Sequence, residues 1–270
     1  MTNLSANKYL ILRRLLQVSV LVLLVGGNVF GWRVLIGDLS HSRFLDVVPF
    51  SDPFAVLQLL AAGGVLAVDV LIGAAVTLAV YGLLGGRTFC AWICPLNMVT
   101  DLANRLGSGF DNHARSTGRA ARFWILGLTF VLSLLTGTAA FEVISPIGML
   151  HRGLVFGMGA GWLAVLAVFL FDLAVMRNGF CGRFCPLGAF YALVGRFGLL
   201  RIRHDHQACT DCMKCVRVCP ENQVLQLVGK ASGSILDPTC TNCGRCIDVC
   251  DDDALRFDLR RQTLSDTPGG

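Results

Sequence analysis

Cys209-Thr210-Asp211-Cys212-Met213-Lys214-Cys215-Val216-Arg217-Val218-Cys219-Pro220 decides how the C-terminal part of this chain folds. Three cysteines separated by two residues, then a fourth after three more and a proline, form the run that ligates 4Fe–4S clusters in bacterial two-cluster proteins. In that run the fourth cysteine serves the other cluster. A second copy follows at Cys240, Cys243, Cys246 and Cys250. Cys209, Cys212, Cys215 and Cys250 are therefore expected at one cluster, and Cys240, Cys243, Cys246 and Cys219 at the other, with about eight iron atoms in all.

The spacing has a physical cause. Thiolates two residues apart let a tight loop wrap three corners of a cubane while its N–H groups point at the sulfurs. The three-residue step then starts a helix that carries the fourth thiolate across. Gly244 suits a loop that approaches a cluster closely. Zinc prefers two cysteine pairs with a long insert and fits this run poorly. Cys250 is followed by Asp251 rather than proline, and Asp251-Asp252-Asp253 reads as a solvated acidic turn.

Outward from these runs, residues 201–270 are polar and cysteine-rich. They read as a small α+β domain that clusters must staple, because a core of this size is weak by itself. Residues 1–200 read differently. The chain of 270 residues is 54% apolar and only 15% charged, against about 25% charged in ordinary soluble domains. Apolar stretches run from Leu15 to Ile36, Val65 to Leu84, Phe123 to Phe141 and Gly153 to Met176. Each approaches the roughly 20 apolar residues that a membrane-spanning helix needs. Phe54 to Ala62, before the Gly63-Gly64 break, reads as a short helix at the outer surface. These residues predict an all-α four-helix transmembrane domain.

Basic residues orient it. Lys8, Arg13 and Arg14 precede the first span. Arg87, Arg105, Arg115, Arg119 and Arg122 lie between the second and third. Arg177, Arg183, Arg196, Arg201 and Arg203 follow the fourth, whereas the other two loops hold Arg43 and Arg152. The positive-inside rule then puts both termini in the cytoplasm of a bacterial inner-membrane protein. The dispersed arginines exclude a nucleic-acid patch. Thiols on that side stay reduced, which disfavours disulfides.

Phe89-Cys90-Ala91-Trp92-Ile93-Cys94-Pro95-Leu96 recurs as Phe180-Cys181-Gly182-Arg183-Phe184-Cys185-Pro186-Leu187. Asp52-Pro53-Phe54 and Ser145-Pro146-Ile147 hold matching places upstream. The membrane part thus reads as two parallel two-span repeats around a pseudo-twofold axis. Cys90, Cys94, Cys181 and Cys185 would converge at the cytoplasmic face, as a third metal centre, as redox dithiols, or as plain buried cysteines. Arg87 and Arg183 would favour their thiolates. The short linker from Pro186 to Cys209 predicts that the Cys209 cluster lies close beneath them.

These motifs resemble the NapH/MauN-type ferredoxin proteins. The resemblance rests on Gly86-Arg87-Thr88-Phe89-Cys90-Ala91-Trp92-Ile93-Cys94-Pro95-Leu96-Asn97, the second Cys-x3-Cys-Pro, the double ferredoxin tail, Val99-Thr100-Asp101-Leu102-Ala103-Asn104 and Val47-Val48-Pro49-Phe50-Ser51-Asp52-Pro53. It implies a membrane subunit of a quinol dehydrogenase, not catalytic alone. Its partners would be the quinol pool, a periplasmic iron–sulfur subunit and a membrane-anchored multihaem cytochrome leading to a periplasmic nitrate reductase. The alternative is a membrane iron–sulfur scaffold or maturation protein that senses redox state or reduces a metal during cofactor assembly. Quinol oxidation needs a proton acceptor in an apolar slot. Asp69, Asp172, His41 and Asp52 qualify, and Glu142 and His151, which bracket the Ser145-Pro146 break, are the first choice as catalytic residues.

Overall fold

The computed structural model describes residues 7–107, 120–157 and 159–260. Arg115, Arg119 and residues 261–270 of the tail lie outside the described residues. A helix α1 (Lys8–Phe30) opens the chain and stops where Gly31 turns left-handed at φ 72°. Three short strands follow, β1 (Leu35–Gly37), β2 (His41–Phe44) and β3 (Val48–Ser51), paired antiparallel in that order. This sheet corrects the all-α expectation for the first 200 residues. The β-branched and aromatic residues here suit a pleated ladder. Leu45 and Asp46 supply the positive φ, 52° and 60°, that reverses the chain.

Two units with the same element order come next. In the first, Asp52 caps α2 (Pro53–Ala61), and then follow α3 (Val68–Leu84), the cysteine turn α4 (Thr88–Trp92) and α5 (Leu96–Leu106). The helices α6 (Ala121–Thr136) and α7 (Ala140–Ile144) connect to the second. There Ser145 caps α8 (Pro146–Phe156), then come α9 (Gly161–Ala174), a single π turn over Phe180–Phe184 and α10 (Pro186–Val194). In both units a short polar side chain accepts a backbone N–H and proline takes the first helical position, where its missing N–H costs nothing. The units interlock, with α5 packed on α9 and α10 on α3. Phe54, wholly buried, joins them through Phe130, Phe141 and Phe190 at centroid distances of 5.5–5.7 Å.

Among the described residues one helix, α1, is long and apolar enough to cross a membrane. The apolar helices α3, α6 and α9 are shorter. The third and fourth apolar stretches are longer in sequence than in the structure because glycines interrupt them. Gly137 ends α6 at φ 67°, and Gly157, at φ 96°, ends α8.

The C-terminal domain is built on a sheet in which β4 (Leu200–His204) lies between β5 (Gly233–Ser234) and β6 (Leu255–Leu259). Two short helices, α11 (Lys214–Val218) and α12 (Arg245–Asp248), carry the cysteine runs. Ile202, Val224, Leu225, Ile235 and Leu255 form its small core together with Cys215, Cys240 and Cys246.

The N-terminal end of α1 docks on this domain. The backbone N–H groups of Tyr9 and Leu10 both donate to the Asp248 carboxylate at 3.1 Å, and Tyr9 packs edge-on against Phe257. Asp101 pairs with both Arg14 and Arg245. Gly244 has φ 74°, and a Cβ there would fall 2.6 Å from the Tyr9 ring. The glycine thus also makes room for α1.

Candidate iron–sulfur centres

Each cysteine run of the C-terminal domain folds into a loop with two left-handed residues. Asp211 and Met213 do this in the first, and Asn242 and Gly244 in the second. Alternating backbone handedness of this kind turns successive N–H groups toward one concavity, which suits an anion. The Asp211 N–H donates to Cys209 Sγ at 3.4 Å, and the N–H groups of Asn242 and Glu221 reach the Cys240 and Cys219 sulfurs.

The eight thiols line two separate small cavities. One, of 10 Å³, is bordered by Cys209, Cys212, Cys215 and Cys250, with Val228 and Leu255. The other, also 10 Å³, is bordered by Cys219, Cys240, Cys243 and Cys246, with Ile202 and Leu225. Among the described residues no three His, Cys, Asp or Glu side chains stand close enough to hold one metal ion. Four thiols spread around a cavity, with N–H groups aimed at sulfur, fit a four-iron cube instead. When bound, such a cluster accepts and gives up one electron at a time.

The two sites face different surroundings. Cys212 is exposed, whereas Cys240, Cys243 and Cys246 are buried. The buried set adjoins the N-terminal domain, and this corrects the expectation that the Cys209 set would lie beneath the membrane-edge pairs. The short linker enters β4, the central strand. That strand runs the chain past the junction and leaves the second run against α4 and α1.

Cys90, Cys94, Cys181 and Cys185 converge. All four line one cavity of 40 Å³, which also touches Arg13, Arg87, Phe89, Glu221 and Cys243. The two copies of the motif share their local geometry. The Cys94 N–H donates to Phe89 O at 3.0 Å and the Cys185 N–H to Phe180 O at 2.9 Å, five residues back in each case. Beyond the prolines, the N–H groups of Leu96 and Asn97 reach the Cys94 sulfur, and those of Leu187 and Gly188 reach the Cys185 sulfur. Burial raises all four thiol pKa values, that of Cys185 to about 12, in spite of the Arg87 guanidinium beside Cys90. Free thiols so placed remain protonated at neutral pH, which disfavours thiol–disulfide exchange, a reaction of thiolates.

Arg87 is 2% exposed and joins the two domains. Its Nη1 donates to Glu221 Oε1 at 2.7 Å and to Thr239 O at 2.8 Å, and its Nη2 donates to Cys181 O at 3.1 Å. Arg183 borders a different cavity, with Arg177 and Arg217. The second arginine at the thiols is instead Arg13, which sequence reasoning counted only as a topology marker. It is 1% exposed, and its Nε and Nη2 have no hydrogen-bond partner.

A further cavity of 310 Å³ lies between α1, the β1–β3 sheet and α3. Asp52, Tyr81, Tyr191, Phe89 and several aliphatic side chains border it. Phe89 borders the four-cysteine cavity too. The Tyr191 hydroxyl donates to Asp52 Oδ1 at 3.4 Å, and His41 Nδ1 sits 2.8 Å from Ser51 Oγ. Burial, reinforced by nearby Glu142, pushes the Asp52 carboxyl up to about 7.

Glu142 and His151 are not among its lining residues. Glu142 accepts from Ser40 Oγ at 2.7 Å. Both Glu142 and His151 lie within electrostatic reach of Asp38, which does line the cavity. Asp69 pairs with Arg43 at 2.9 Å, and Asp172 accepts the Phe180 N–H at 3.0 Å.

An arrangement of crossed cysteine runs on a three-stranded sheet, docked against an apolar helical domain, defines an iron–sulfur electron-transfer protein. Comparison with known proteins agrees. Residues 66–111 and 154–203 match the family described as "4Fe-4S binding domain", and residues 201–251 match "4Fe-4S dicluster domain". The chain is 44% identical to the ferredoxin-type protein NapH of Escherichia coli, with 82% of this chain and 78% of that one covered. It is 42% identical to the methylamine utilization ferredoxin-type protein MauN of Methylorubrum extorquens, with 86% and 82% covered. A more distant relative, at 24% identity over 72% of this chain and 54% of its own, is the putative electron transport protein YccM of E. coli. No solved structure matches. The chain belongs to the NapH/MauN family of ferredoxin-type proteins.

Proposed function

We propose that this protein is the membrane electron-transfer subunit of a quinol dehydrogenase. It takes electrons from membrane quinol and passes them through iron–sulfur and cytochrome partners toward a periplasmic nitrate reductase. The observation that carries this reading is the 310 Å³ cavity, whose wall residue Phe89 is shared with the four-cysteine cavity. Its aliphatic and aromatic lining suits an isoprenoid quinol ring. Asp52, with a carboxyl near neutrality, suits the acceptor of a quinol proton. Beyond Phe89, the cysteine-lined cavities follow in order, so the C-terminal domain and the 310 Å³ cavity are the two ends of one path through the protein, and electrons bound for the periplasm must cross back through it. Cys243 borders both the four-cysteine cavity and the buried ferredoxin cavity. Two 4Fe–4S clusters on Cys209, Cys212, Cys215, Cys250 and on Cys240, Cys243, Cys246, Cys219 form the wire.

Four spans in a bacterial inner membrane, with both termini cytoplasmic, complete the proposal. α1, α3, α6 and α9 all expose large apolar side chains, among them Leu15, Val68, Leu128 and Leu163. Such patches on a water-soluble monomer are rare. The docking of Tyr9 and Leu10 on Asp248 supports one side for the N-terminus and the C-terminal domain. The decisive experiment is an anaerobic titration of the membrane-embedded protein with quinol, monitored by EPR. Reduced-cluster signals should appear with quinol and partner subunits present. Their absence, with clusters that dithionite still reduces, defeats the proposal.

A further inference from the structure

We infer that Cys90, Cys94, Cys181 and Cys185 together ligate a third 4Fe–4S cluster, set between the quinol-sized cavity and the buried ferredoxin site. The inference deepens the electron-relay reading and rests on it for its purpose. The occupancy of the site is a separate matter that can be read by itself.

Three features carry it. First, the geometry repeats that of the eight-cysteine domain. Four thiols surround one cavity, and no three ligating groups lie close enough for a single ion. At 40 Å³ the cavity is larger than the 10 Å³ at either ferredoxin site. A plain packing role for four cysteines would close such a space, because protein interiors are dense.

Second, backbone N–H groups aim at sulfur here as they do in the ferredoxin loops. At the start of α10 the N–H groups of Leu187 and Gly188 face the Cys185 sulfur, and at the start of α5 the Leu96 N–H faces the Cys94 sulfur while the Asn97 N–H is shared with the Cys94 carbonyl at 3.3 Å. These bonds stabilise negative charge on sulfur.

Third, the cavity contains a guanidinium that is not fully bonded, because the lining carboxylates Asp101 and Glu221 pair instead with Arg14 and Arg245 and with Arg87. Arg13 borders it, wholly buried, with Nε and Nη2 unpaired. An isolated buried charge is costly unless it is paired. A cluster held by four thiolates carries net negative charge and would supply such a partner. Arg87 and Arg245 border the same cavity. Transfer of a preassembled cluster from a thiolate-ligated carrier breaks four carrier Fe–S bonds and forms four here, and the protons of the four S–H groups pass to the released carrier thiolates, with no electron exchanged.

Native mass spectrometry of the full chain, purified anaerobically in detergent micelles, tests this. The wild type should carry the mass of three 4Fe–4S clusters. Cys94→Ala and Cys185→Ala should each carry two, with Cys212→Ala losing a different one by its EPR signal. A wild-type mass of two clusters, or of two clusters with zinc or copper, overturns the inference, and the wild-type measurement decides even if a variant fails to fold. Because no quinol is present, failure of the quinol reading would leave the count at three, and failure of the third cluster would leave the quinol titration to be judged separately.

Discussion

Arg87 Nη1 lies 2.7 Å from Glu221 Oε1, so the arginine that opens the first Cys-x3-Cys-Pro motif is paired with the residue two beyond Cys219. Both side chains are buried. The pair locks the N-terminal helical domain to the buried ferredoxin site, and the same guanidinium also holds the carbonyls of Thr239 and Cys181.

Breaking this pair removes the shorter of the two ion pairs of buried Glu221, whose other partner is Arg122 at 3.7 Å. Glu221→Gln or Arg87→Ala should therefore destabilise the folded protein by about 3–5 kcal/mol. A lower melting temperature, followed through the visible cluster absorbance, is the expected result. Unchanged melting would mean that the junction is held instead by Tyr9 on Asp248 and by the Trp92 Nε1–H, which donates to Asn242 O at 3.0 Å.

Cys212 is the exposed thiol among the four that line the outer cavity. Cys212→Ala should remove that cluster's EPR signal and weaken the other, because the fourth cysteine of each run supports the opposite site. An unaltered spectrum would show that Cys212 is not a ligand.

Asp52 couples to pH in two ways. Burial lifts its carboxyl to about 7, so the proton-accepting form builds up as pH rises through neutrality, and quinol oxidation should rise with it. Its folded-state pKa lies above the unfolded value of about 3.9. Its contribution to stability is therefore full below pH 4 and falls as pH climbs toward 7. Asp52→Asn keeps the cap on α2, since asparagine caps as well as aspartate. It should abolish both slopes and slow quinol oxidation at neutral pH. Steady-state rates and thermal melts across pH 5–8 check this, and a variant with the wild-type pH profile would remove Asp52 from the proton path.

Topology reporters test the four-span arrangement. A fusion after Gly270 should behave as cytoplasmic and an insertion near Ser42 as periplasmic, because arginines crowd one set of loops. The opposite pattern would overturn the direction of the proposed electron path.

Cysteine spacing by itself determined which thiols share a site in the C-terminal domain. Two residues between ligands is a local rule, and a fourth cysteine beyond a short helix must cross to the neighbouring loop. The repeat of Phe-Cys-x3-Cys-Pro-Leu likewise foretold the convergence of four thiols, since equal sequences at equal places in two units make equal turns. Other features required the tertiary structure. The Cys219 set, rather than the Cys209 set, meets the helical domain because β4 takes the central place in its sheet. Arg13, not Arg183, is the second arginine at the thiols because α1 passes beside the cavity. Asp52 lines the quinol-sized cavity where Glu142 and His151 do not, because the sheet and α2 fold Asp52 in toward Tyr191. In each case the deciding contact joins residues far apart in the chain. Spacing and periodicity report the turn a residue sits on; only packing decides what that turn faces.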